Sequence, residues 1–124
     1  MKVLLSIKPE YVERIFSGQK KFEYRRAIFK DPNVTSVVVY ASSPIKLVVG
    51  EFEVNDVLYH STKRLWKTTR AFAGISEENF FRYFWGKKTG YAISIGKTRR
   101  YRSPLVLTQT FGITPPQSFA YLDD

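Results

Sequence analysis

In the stretch Gly18-Gln19-Lys20-Lys21-Phe22-Glu23-Tyr24-Arg25, cations and one carboxylate alternate with aromatic residues. Successive side chains of a strand face opposite ways. An extended reading therefore puts Lys21, Glu23 and Arg25 on one face and Phe22 and Tyr24 on the other, with Lys20 at the turn beside them. A carboxylate flanked by cations can hold an anionic or amide-bearing ligand and can set the protonation of a catalytic group. The same spacing also fits a solvated strand face whose ion pairs carry little energy. Spacing alone leaves these two readings level.

A second set of candidates comes from the distribution of charge. The net charge is +9 and the pI is about 9.9, which favours polyanionic partners at long range. Between Val57 and Arg102 there are eleven Lys or Arg and two Asp or Glu, so the surplus is concentrated in the central and later part. Lys63, Arg64, Lys67 and Arg70 fall on one amphipathic segment. Lys97, Arg99, Arg100 and Arg102 follow later, with Tyr101 interleaved as a stacking residue. Phosphate-tracking cations beside aromatics are what single-stranded RNA requires. The alternative use of such charges is to keep an aromatic-rich protein soluble, but a solubilising surface normally mixes signs. Phe80, Phe81, Tyr83, Phe84 and Trp85 recur at helical spacing and are expected in the core.

These residues need elements to position them. A first strand at Val3–Ile7 leads to a short docking helix. Pro9 fits its first turn, Gly18 lies just beyond its end, and Tyr11, Ile15 and Phe16 form its apolar stripe. Strand patterns follow at 21–26, 36–41 and 45–59, with Gly50 placed for a bulge or bend in the third. Two central helices are expected, at 63–72 and, after an N-cap at Ser76, at 77–85. A strand over 89–96 and the apolar Leu105-Val106-Leu107 complete the pattern. Five or six strands with an early helix and one or two central helices give an α+β fold, curled into a small barrel. At 124 residues, with 44% hydrophobic and 16% aromatic content, residues 1–124 suit a single domain.

The absence of cysteine excludes disulfides and thiolate metal sites. One histidine, His60, is too few for the common metal and triad arrangements, and it reads as a loop residue between a strand and a helix. No structural metal and no cofactor are expected. The first strand is too short, and too soon followed by charge, for a signal peptide or a membrane span. A cytoplasmic protein without a membrane partner is the expectation.

The pattern Gly-x-Lys-x-x-Glu-x-Arg, carried by Gly18, Lys20, Glu23 and Arg25 and preceded by Ser6-Ile7-Lys8-Pro9-Glu10-Tyr11-Val12-Glu13-Arg14-Ile15-Phe16, resembles the ASCH domains of the PUA-like superfamily. Tyr40-Ala41-Ser42-Ser43-Pro44, Val48-Val49-Gly50-Glu51-Phe52 and Pro115-Pro116-Gln117-Ser118-Phe119 extend the resemblance over nearly the whole chain. It implies a PUA-like barrel whose early helix and following strand line a cleft that accepts a nucleotide or RNA. By that resemblance Lys20, Glu23 and Arg25 bind the ligand, with Lys8, Ser42 and Ser43 as neighbours. Turn duty is the stronger reading of the two serines, which precede Pro44. Some ASCH members are amidohydrolases of acetylated cytidine, pairing the motif lysine with a threonine three residues later and a distant glutamate. Here Glu23 stands in the threonine place, and residues 57–75 contain no acid. RNA or nucleotide binding is thus the leading function, with hydrolysis of a modified nucleoside and RNA cleavage as alternatives. In either enzyme Lys20 and Glu23 would be catalytic.

Overall fold

The computed structural model describes residues 1–122. β1 (Lys2–Ile7) leads through Lys8 into α1 (Pro9–Phe16), whose Pro9 occupies the first turn where its missing N–H is of no consequence. α1 buries Val12 and Ile15 against the sheet, each contributing about 1.5–3 kcal/mol. Gly18, at a φ of 86°, turns the chain out of the helix. β2 (Phe22–Arg25), β3 (Ser36–Ala41), β4 (Leu47–Ser61), β5 (Thr89–Leu105) and β6 (Phe119–Leu122) complete a six-stranded mixed sheet in the order β2-β5-β4-β3-β1-β6. β1 and β3 run parallel, and all other neighbours are antiparallel. The fold is α+β, as expected.

The register of β4 slips against β3 at Val39/Tyr40 and against β5 between Val48 and Gly50, so the expected bulge lies at Gly50. A Cβ there would lie 2.5 Å from the Phe16 ring and 2.6 Å from the Arg99 carbonyl oxygen. Glycine is what lets α1 sit so close to the sheet. The main core gathers Val3, Leu5 and Ile7, the α1 stripe, Val37, Val39, Phe52, Ile93 and Ile95. α2 (Thr62–Thr69), a 3₁₀ turn (Arg70–Phe72) and α3 (Glu77–Tyr83) cover the opposite face of β2 and β5 through Leu65, Phe80 and Phe84. α4 (Leu107–Phe111) precedes β6 and packs with it over Leu4 and Val38.

Three expectations need correction. β5 is a strand of 17 residues that absorbs the basic run 97–102, because cross-strand pairing with β4 overrides its polar sequence. His60 lies within β4 opposite Gly90, not in a loop. Phe80 and Phe84 are buried, but Phe81, Tyr83 and Trp85 are exposed, since a helix of seven residues covers the sheet with one face only.

Candidate functional site

A cavity of about 430 Å³ opens where α1, β2 and α3 meet. Lys20, Glu23 and Arg25 all line it, together with Ser6 and Lys8 from the β1–α1 junction, Tyr11 from α1, and Asn79, Arg82 and Tyr83 from α3. Lys20 is 2% exposed. Its ammonium donates to the Ala73 carbonyl at 2.9 Å and lies over the Tyr24 and Tyr11 rings, 4.7 and 5.3 Å from their centroids. Burial lowers its pKa to about 8, against the opposing pull of Glu23. Gly74, at a φ of 63°, is packed on the lysine's stem, where any Cβ would collide.

Glu23 is buried and bonded to Arg25, whose Nη1 donates to Oε2 at 3.2 Å. The other guanidinium nitrogen donates to the Ser118 carbonyl at 2.8 Å, so Arg25 ties the edge strand β2 to the segment entering β6, at the opposite edge. Tyr24 also lines the cavity, but its hydroxyl is taken up by Thr69. Thr69 spends its hydroxyl proton on Leu65, so Tyr24 donates to Thr69 at 2.6 Å, and burial pushes its phenol up to about 12. On α3, the Tyr83 hydroxyl accepts from the Arg26 N–H at 3.2 Å while Arg26 Nη1 donates to the Tyr83 carbonyl, fixing the far wall. Although Tyr83 is exposed as a whole residue, its phenol is desolvated in this wall, which raises its pKa as well.

Lys21 does not share the face of Glu23 and Arg25. β2 begins one residue later, and Lys21 turns toward a separate cavity with its ammonium 4.6 Å from the Phe72 ring centroid. Ser42 and Ser43 lie in the turn after β3, where Ser42 donates its N–H to the Ile7 carbonyl at 2.9 Å; neither lines the cleft. Lys63, Arg64, Lys67 and Arg70 are exposed around α2, as are Lys97 and Arg102 on β5. Arg100 holds Glu13 and lies over Phe16, whereas Arg99 lies 3.9 Å from Glu51, to which Tyr101 donates at 2.7 Å. Sequence reasoning missed Asn79, Arg82 and Tyr83. Their spacing of three and four residues from Asn79 marks one face of α3, a signal overshadowed by the neighbouring aromatics.

A curled mixed sheet with a charged cleft beside an early helix defines a PUA-like class of small domain. The chain belongs to the ASCH domain family, whose profile matches residues 5–110. It is similar to the ASCH domain-containing ribonuclease of Zymomonas mobilis, 29% identical over 123 residues, covering 96% of this chain and 82% of that protein. The crystal structure of ASCH from Zymomonas mobilis superposes with a TM-score of 0.89 at 28% identity, over 98% of this chain and 87% of that one. Two Ureaplasma parvum proteins match 97% of the chain: ATP synthase subunit alpha at 30% identity and large ribosomal subunit protein uL22 at 28%. The chain spans only 15% and 39% of their lengths. Among the described residues no helix is long and apolar enough to cross a membrane.

Proposed function

We propose that this domain binds RNA, seating one nucleotide in the cleft between α1, β2 and α3. The observation that carries this reading is the convergence of a buried lysine, a buried carboxylate and a bridging arginine in one tyrosine-walled cavity. A carboxylate in such a place accepts hydrogen bonds from the amino or ring N–H groups of a base. Aromatic walls offer stacking, and Lys8 supplies a cation for phosphate, beside Arg82, which Glu78 already holds at 2.7 Å. The exposed cations of α2 and the naming of a relative as a ribonuclease support RNA as the polymer. The test is calorimetric binding of nucleoside monophosphates to the parent and to Glu23→Gln, which removes the charge and keeps the shape. A loss of about tenfold or more, equivalent to roughly 1.4 kcal/mol, is expected; equal affinities would refute the assignment.

RNA cleavage is a second reading, favoured by the lowered pKa of Lys20. An amine with a pKa of about 8 exists in both protonation states near neutrality, so it can take a proton from an attacking hydroxyl or give one to a leaving oxygen. Arg25 would stabilise the charge gathering on phosphorus. Scission of labelled RNA whose rate turns over near pH 8, and is lost in Lys20→Met, would establish it. Deacetylation of a nucleoside has no comparable support, because Glu23 occupies the threonine place of that motif.

A further inference from the structure

Beside the cleft, the sheet carries an aromatic pair that the motif does not include. Tyr59 on β4 stands opposite Tyr91 on β5, and Tyr91 stands opposite Arg25 on β2. Opposed residues of antiparallel strands project to the same face, so Arg25, Tyr91 and Tyr59 form one row across three strands, beginning at the cleft. The two rings have centroids 4.7 Å apart and planes inclined by 36°. The Tyr59 hydroxyl donates to Thr89 at 3.1 Å, which fixes the outer ring, yet Tyr59 remains 54% exposed. The flanking cross-strand pairs are Val57 with Ile93 and Ser61 with Thr89, so no acidic group on these positions opposes a phosphate.

We propose that Tyr91 and Tyr59 form a stacking platform for the base adjacent to the one held in the cleft, on single-stranded RNA. This inference rests on the cleft reading. Two arguments select the occupant. A net charge of +9 favours a polyanion and disfavours a second copy of the same chain. Two tyrosines also offer at most about 150–250 Å² each, well short of the roughly 800 Å² per partner of a stable protein interface. Strands lie about 4.8 Å apart, so the platform begins within about one strand spacing of Arg25, in reach of the next base.

The test compares adenosine monophosphate with a six-residue oligoadenylate, titrated by calorimetry into the parent, Tyr59→Ala, Tyr59→Trp and Glu23→Gln. Tyr59→Ala should weaken the hexamer about tenfold and leave the monophosphate unchanged, while Tyr59→Trp retains parental affinity. Stacking releases no counterions, so the salt dependence of hexamer binding should keep its slope in Tyr59→Ala. Hexamer binding that ignores Tyr59→Ala but falls in Glu23→Gln would overturn the platform and leave the cleft reading standing. Dependence on Tyr59 with indifference to Glu23→Gln would support the platform and sink the cleft reading. A parallel loss of monophosphate binding in Tyr59→Ala would overturn the platform, as would a parental dimer that Tyr59→Ala dissociates.

Discussion

Replacing Lys20 by Met keeps the stem that Gly74 packs on and removes the charge. The fall in pKa from 10.5 to about 8 corresponds, at 1.36 kcal/mol per unit, to about 3 kcal/mol by which the folded state disfavours the ammonium. The residue is 2% exposed, so solvent screening does not discount this figure. The folded pKa lies below the unfolded one, so the penalty is complete below about pH 8 and fades as pH rises toward 10.5. Between about pH 7 and pH 9.5 the parent should therefore gain about 2 kcal/mol relative to Lys20→Met. At pH 7 the variant's gain is reduced by the Ala73 carbonyl left without its donor, a cost of about 1–3 kcal/mol. Denaturant unfolding of both proteins across this range reads the difference directly. A gap that stays constant with pH, or moves in the variant's favour on raising it, would refute the claim that Lys20 is held against its solvation.

Gly50→Ala should destabilise by about 1–3 kcal/mol, because the new methyl meets a backbone carbonyl as well as the Phe16 ring; thermal unfolding measures it. Tyr24→Phe should cost about 1 kcal/mol in denaturant unfolding through loss of the Thr69 bond, and should leave nucleotide affinity unchanged, since the ring that lines the cleft is kept and only the hydroxyl engaged by Thr69 is lost. Lys63→Ala with Lys67→Ala should flatten the slope of log affinity against log salt by about 0.7 per lysine in contact with single-stranded RNA. Arg99→Ala with Arg100→Ala should flatten it less, because Arg100 is paired with Glu13 and Arg99 lies beside Glu51.

The elements that hold the cleft were legible because each carried a local signal. Pro9 and Gly18 bracket α1, Ser76 caps α3 through its bond from the Asn79 N–H, and Val37 to Val39 make a buried strand. The cluster of Lys20, Glu23 and Arg25 was legible from its motif. Its partners were not. Ala73 and Ser118 offer only backbone carbonyls, which no side-chain pattern announces, and they lie 53 and 93 positions from the residues they hold. The extent of β5 was hidden too, since Lys97 to Arg102 read as a polar run and only pairing with β4 makes them a strand. Tyr83 was misjudged because helical spacing reports a face without saying whether core or cleft lies against it.

The bond from Arg25 to Ser118 gives the cleft a place in the order of folding. The motif residue depends on a carbonyl 93 positions downstream, and the segment bearing it is anchored only once β6 has paired with β1. Closing so long a loop is entropically demanding, so this contact belongs to the late stages of assembly. A nascent chain that ends before β5 holds every residue of the motif, yet β2 has no strand to pair with and Arg25 has nothing beyond Glu23 to grip. The geometry of the cleft is therefore complete only when the sheet is, so the last strand to be made is also the one that finishes the site nearest the start of the chain.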